Sequence, residues 1–150
     1  MIALASDHTG LGLKSDIIEY LKSSGLRYTD YGTHTEDSCH YPQYALKAAN
    51  AVASGECEKG ILICGTGVGI SIAANKVRGI RCVNCSEPYS ARLSREHNNT
   101  NMLSLGARVV SSGLALMIVH EWLSASFEGG RHGLRVEQIT QIELQGHIDL

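Results

Sequence analysis

The chain has 150 residues, 43% of them hydrophobic and only two of them proline, which is the length of one domain with enough apolar content to bury a core. Its 13 Lys and Arg against 15 Asp and Glu leave a formal net charge of -2, which excludes the broad basic field of a nucleic-acid or anionic-membrane binder. No run approaches the roughly 20 apolar residues of a membrane span, and the N-terminus MIALASDHTG lacks the basic and long apolar regions of a secretion signal. Five cysteines without disulfide-scaffold density suit a reducing compartment, so a cytoplasmic globule with free thiols is expected.

In chain order, Met1 to Ala5 is an apolar run that ends at Ser6-Asp7-His8-Thr9-Gly10 and gives way to apolar residues at Leu11, Ile17, Ile18 and Leu21. It reads as strand, loop, helix. A second strand covers Arg27 to Tyr31, and the loop Gly32 to Tyr41 leads into an alanine-rich helix from Pro42 to Ser54, with the proline suited to a first turn. Gly60-Ile-Leu-Ile-Cys64 is short, β-branched and stopped by glycine, as in a parallel strand covered on both faces. A helix from Val68 to Lys76, a strand from Gly79 to Val83 and a helix from Glu87 to His97 follow. Met102 to Val110 is the fifth strand candidate, then come an amphipathic stretch from Leu114 to Phe127, a break at Gly129-Gly130 and a last helix from Leu134 to Leu144. Repeated strand–helix alternation predicts an α/β fold, a five-stranded parallel sheet with helices on both faces.

Ligands of open α/β sheets collect at the carboxyl ends of the strands, which directs attention to two loops. Asp7-His8 places an ionisable pair at the end of the first strand, although Asp7 serves equally well as a helix cap. Cys64-Gly65-Thr66-Gly67-Val68-Gly69 passes from the best strand into a helix, and its glycines let backbone N–H groups approach an anion. A dinucleotide fingerprint would need a third glycine where Ile70 stands, so a nucleotide-binding module is the weaker alternative. A helix start also suits a reactive thiol at Cys64, although a lone strand-end cysteine is more often an inert buried residue and it is the glycine context that favours reactivity.

Further along, His97-Asn98-Asn99-Thr100-Asn101 offers a proton-exchanging histidine or, read differently, a C-cap cluster. Arg131 and Arg135 are four apart and can share a helical face, where paired guanidinium groups suit a phosphate; Arg108 is a third cation. Cys82-Val-Asn-Cys85 has bare C-x-x-C spacing without a second pair and reads as structural. His40, His120, His132 and His147 lack ligand spacing with other donors, so no metal site is expected.

The segments SDHTG, DYGTHTEDSCHYP, GILICGTGVGISIAANKVRGIRCVNCSEPYSARLSREHNNTN and FEGGRHGLRVEQI, which span nearly the whole chain, resemble the successive motifs of type B ribose-5-phosphate isomerases. The resemblance implies a three-layer α/β/α, Rossmann-like domain and a homodimer or tetramer whose active sites draw on both subunits. It assigns Asp7, His8, Tyr41, Cys64, Gly65, Thr66, Gly69, His97, Asn98, Arg108, Arg131 and Arg135 to the site. The chain carries the form of the family that uses a cysteine, Cys64, as base, where other members use a glutamate a few positions downstream.

The implied reaction is an aldose–ketose isomerisation of ribose 5-phosphate and ribulose 5-phosphate through a cis-enediolate, with no cofactor. His97, helped by Asp7, opens the ring, and Cys64 moves the carbon-bound proton. Thr66 and the amides of Gly65 to Gly69, Gly67 included, hold the enediolate oxygen, and His8, Arg108, Arg131 and Arg135 hold the phosphate. Related enzymes act on allose 6-phosphate or galactose 6-phosphate, so a six-carbon substrate is the principal alternative, and a catalytically silent subunit is a third.

Overall fold

In the computed structural model, which describes residues 1–149, the elements run β1 (Ile2–Ser6), a 3-10 turn (His8–Gly10), α1 (Leu11–Ser23), β2 (Tyr28–Asp30), α2 (Tyr41–Ala53), β3 (Lys59–Cys64), α3 (Val68–Ala74), β4 (Cys82–Asn84), α4 (Pro88–Asn98), β5 (Met102–Gly106), α5 (Ser112–Ser124) and α6 (Arg131–Gln145). The five strands form one parallel sheet in the order β2-β1-β3-β5-β4.

The two-residue period of each strand divides its side chains between two cores. Ile2 and Leu4 of β1, Ile61 and Ile63 of β3, and Leu103 and Leu105 of β5 face α1, α4 and α5, together with the fully buried Trp122. Ala3, Ala5, Leu62, Cys64 and Met102 point the other way, onto α2 and α3. Ala45, Ala48, Ala49 and Ala51 make that second layer thin, so α2 lies close to the sheet. The central strands are covered on both faces, which is why their sequences are continuously apolar.

Several boundaries differ from those expected, each for a local reason. The fourth strand does not begin at Gly79 because residues 79–81 spend their hydrogen bonds elsewhere: Gly79 N–H donates to Glu143, Gly79 C=O accepts from Asn101 Nδ2 and Arg81 N–H donates to Asn101 Oδ1. The fifth strand stops at Gly106 rather than Val110, since Ala107 and Arg108 donate across to the carbonyls of Cys64 and Gly65, and Val109 and Val110 turn back onto Gly106 C=O. The long amphipathic stretch ends as helix at Ser124, where Ala125 becomes extended. The last helix begins at Arg131, three residues early, which makes Arg131 and Arg135 successive positions on one helical face.

Lys14 carried no signal in the sequence, yet it is buried on α1, donating through Nζ to Asp30 Oδ1 at 2.9 Å and to Thr33 C=O. Asp30 also accepts from Gly32 N–H at 2.9 Å, so one ion pair ties the end of β2 and the loop toward Tyr41 to the body of the sheet. Lys14→Ala leaves a carboxylate that is only 19% exposed and a carbonyl without their donor. The expected cost is about 2–3 kcal/mol, read in a denaturant titration as a lower midpoint at unchanged slope.

Candidate active site

β1 hands the chain outward to β2, whereas β3 lies on the other side of β1, so the sheet changes direction between β1 and β3. A crevice opens at the carboxyl ends of strands at such a switch point. Ser6 is in register with Ile63, and Asp7 N–H donates to Ile63 C=O at 3.1 Å, which sets Asp7 beside Cys64 one step beyond the last strand pair. Gly10 seals the floor: a Cβ there would stand 2.7 Å from Ile63 Cγ2 and 3.0 Å from Ile63 O.

Asp7 is buried, and its Oδ1 accepts from Thr9 N–H at 2.9 Å, Thr9 Oγ1 at 2.6 Å and Gly10 N–H at 3.2 Å. It therefore caps the 3-10 turn. One of its oxygens is committed to the backbone, and the other has no such partner among the described residues. His8 is half-buried, and its Nδ1 accepts from Cys39 N–H at 3.3 Å, with Cys39 Sγ at 3.7 Å. An amide can only donate, so the neutral imidazole carries its hydrogen on Nε2 and presents it as a donor.

Cys64 ends β3 with its thiol buried, and Gly67 N–H donates to Sγ at 3.1 Å. That contact needs Gly67 in the left-handed region, at φ 78°, where a Cβ would sit 2.3 Å from Asn84 Oδ1 and 2.9 Å from the backbone of Leu105. Ser104 Oγ donates to Gly67 C=O at 2.9 Å and Asn84 Nδ2 to Thr66 C=O at 3.3 Å, so β4 and β5 hold the turn from outside. Of the loop amides, Gly67 is taken by the sulfur and Val68 by Thr66 Oγ1 at 3.3 Å. Those of Gly65, Thr66 and Gly69 have no acceptor among the described residues and remain for a ligand.

Tyr41, at the start of α2, lays its ring on Gly69, where a Cβ would meet Tyr41 Cζ at 2.6 Å. Arg108 is exposed and flanks Gly65, with Thr9 Oγ1 on the same side, each 3.7 Å from where a Gly65 Cβ would be. Asp7, His8, Tyr41, Cys64, Gly65, Thr66, Gly67, Gly69 and Arg108 thus come together at the carboxyl ends of β1, β3 and β5. Thr9, Cys39, Asn84 and Ser104 support this cluster, and the sequence reading missed them because each acts through a contact distant from any motif.

His97, Asn98, Arg131 and Arg135 lie elsewhere in the same chain. α4 starts after the carboxyl end of β4 and runs back for 11 residues, about 16 Å, to the amino end of the sheet. His97 and Asn98 come just before Met102, which pairs with Gly60, four residues and about 13 Å down the strand from Cys64. Asn99, with φ 47°, is the left-handed cap of α4, and Asn101 bridges Gly79 and Arg81, so two of the three asparagines are structural. Asn98 is exposed.

His97 stacks on His132 of α6, ring centroids 4.1 Å apart and planes 6° from parallel. Glu128 Oε2 faces both Nε2 atoms, at 3.9 Å from His97 and 3.6 Å from His132. Burial, then His97 and the neighbouring arginines, lower the His132 pKa, against the opposing pull of Glu128. The three donors lie within 4.8 Å of one another. Imidazole lone pairs lie in the ring plane, however, and two nearly parallel rings direct them side by side rather than onto one ion. Cys82 and Cys85 are pushed up to about 12 and about 11 by burial, which keeps both thiols protonated at neutral pH.

A family model described as Ribose/Galactose Isomerase matches residues 2–139. The chain belongs to the ribose/galactose isomerase family. It is 58% identical to ribose-5-phosphate isomerase B of Escherichia coli over 95% of each chain, and 43% identical to D-erythrulose-4-phosphate isomerase of Pectobacterium atrosepticum over 96% of this chain and 95% of that one. Among solved structures, Clostridium thermocellum ribose-5-phosphate isomerase B superposes with a TM-score of 0.93 at 56% identity, covering 95% of this chain and 96% of that one. The Mycoplasma genitalium ribose-5-phosphate isomerase B with bound ribulose-5-phosphate does so with a TM-score of 0.92 at 42% identity, covering 96% of each. The parallel α/β architecture of this isomerase family member is thus the one its relatives share.

Proposed function

We propose that the protein is a cytoplasmic aldose–ketose isomerase that interconverts ribose 5-phosphate and ribulose 5-phosphate through a cis-enediolate, with Cys64 as the base. The observation that carries the reading is the placement of the Cys64 sulfur at the switch-point crevice, beside three uncommitted amides in a family whose members at 58% and 42% identity are ribose-5-phosphate isomerases. Cys64 takes the C2 proton of the open-chain aldose and returns it to C1, while the O2 hydroxyl proton passes to O1 so that C2 becomes the carbonyl. The electrons pass into the C1 carbonyl, and the oxygen that becomes negative needs donors already in place, which Thr66 Oγ1 and the free amides of Gly65, Thr66 and Gly69 offer. Tyr41 walls the pocket over Gly69, and His8 Nε2–H and Arg108 point to the phosphate end.

The enzyme works as a dimer, because the crevice and the His97 group cannot meet within one chain. A partner's His97 and Asn98 would complete the crevice at the sugar ring, and its Arg131 and Arg135 would complete it at the phosphate. Val68 and Ile72 on α3 and Leu134, Ile142 and Leu144 on α6 are at least 48% exposed, an apolar surface next to both groups that a second subunit would cover. The phosphate assignment predicts that Arg131→Ala or Arg135→Ala costs about 2 kcal/mol or more in sugar-phosphate binding, seen as a raised KM, and that unphosphorylated ribose is a poor substrate. Equal kcat/KM for ribose and its 5-phosphate would give these arginines another role.

The reading is tested by kcat/KM across ribose 5-phosphate, allose 6-phosphate, galactose 6-phosphate and erythrulose 4-phosphate, the last included because of the Pectobacterium relative. Ribose 5-phosphate is expected to lead. A higher value for any other sugar reassigns the substrate while leaving the reaction type intact.

A further inference from the structure

The stacked His97–His132 pair and its shared carboxylate have no part in the scheme above beyond His97 itself. His97 is about one-third exposed and His132 almost fully buried, so the inner ring acts as a fixed plate against which the outer ring lies. Glu128 is held in turn, since its N–H donates to Glu96 C=O at 3.0 Å and so pins the connection after α5 to α4. Its carboxylate meets the Nε2 edge of both rings, while Nδ1 of His97 has no hydrogen-bond partner among the described residues.

We propose that Glu128 and His132 are positioning residues for His97: the stacked ring fixes the plane of its imidazole, and the carboxylate facing its Nε2 edge orients the ring so that Nδ1 is left as the proton acceptor in ring opening. The inference rests on His97 being the ring-opening group. In that step Nδ1 takes the proton of the anomeric hydroxyl, the freed O–H pair closes the C1=O double bond, and the C1–O4 bond breaks toward O4. O4 then takes back one proton, so His97 ends in the state in which it began.

The other charged groups do not substitute for Glu128. Arg131 and Arg135 of α6, with the facing His97, oppose a proton on His132. On α4, Arg92 and Glu96 are closed on each other at 2.8 Å, and Glu121 of α5 lies on the Arg92 side. Glu128 is therefore the group whose charge opposes the lowering of the His132 pKa.

Ring opening can be separated from carbon chemistry because ribulose 5-phosphate is acyclic: exchange of its C1 proton with solvent deuterium needs Cys64 but no ring opening. In the intact enzyme, His132→Ala is expected to lower turnover of ribose 5-phosphate about tenfold while C1 exchange of ribulose 5-phosphate stays near wild type. His132→Phe, which restores a flat ring for stacking, is expected to recover most of that loss. Glu128→Gln, which keeps the side chain's shape and removes its charge, is expected to lower turnover of ribose 5-phosphate severalfold while C1 exchange of ribulose 5-phosphate stays near wild type. Equal losses in turnover and exchange, no loss in either, or a Phe variant no better than Ala would each overturn the positioning role. A wild-type enzyme that neither consumes ribose 5-phosphate nor exchanges the C1 proton would remove the isomerase reading itself.

Discussion

Cys64→Ser is expected to lower ribose 5-phosphate turnover by about three orders of magnitude without unfolding the protein or loosening its grip on the phosphate. Serine keeps the shape of the buried side chain, and Gly67 N–H can donate to Oγ as it does to Sγ. What changes is basicity: the hydroxyl releases its proton only far above neutral pH, so it cannot serve as a base at C2. Cys64→Ala should be as inactive, and a phosphate-bearing inhibitor should bind both variants about as well as wild type, because His8, Arg108 and the arginines of α6 are untouched. Alkylation of wild type should inactivate it, with substrate protecting Cys64 when the modified cysteine is mapped by mass spectrometry. Wild-type deuterium exchange at C1 of ribulose 5-phosphate by a folded Cys64→Ser enzyme would show that another residue is the base.

The fold was legible because each strand's environment is written in its composition. β3 is covered on both faces and reads as Gly-Ile-Leu-Ile-Cys; the thin layer under α2 reads as a run of alanines. The boundaries that slipped are those where side chains intercept backbone groups, as Asn101 and Glu143 do around Gly79, and no local propensity records such a partner. The crevice loops were visible for a comparable reason, since strand-end glycines and ionisable residues stand out against apolar runs. Asp7 shows the limit: capping and acid–base roles use the same residue type, and its Oδ1 does cap. His132 was set aside in the sequence for want of ligand spacing, and its stacking on His97 depends on how α6 packs against α4. The separation of His97 from Cys64 was invisible in sequence order and becomes plain once β5 is seen to run parallel to β3.

That separation yields the second large effect, a restoration of activity from two inactive proteins. If each site joins the crevice of one subunit to the His97 and arginines of the other, Cys64→Ala and His97→Ala damage different halves of it. In a mixed dimer, the site formed by the intact crevice of the His97→Ala subunit and the intact His97 of the Cys64→Ala subunit carries no substitution at all. The other site carries both. Random re-association of equal amounts should make half the dimers mixed, and with one good site of two in each, ribose 5-phosphate turnover should rise from near zero to about a quarter of wild type in a symmetric dimer. The signal should appear only after subunits exchange, and differently tagged subunits purified as pairs should approach half of wild type. A site built within one chain would leave every dimer with two defective sites, whatever the mixing, so a purified mixed dimer as inactive as its parents would end the shared-site model.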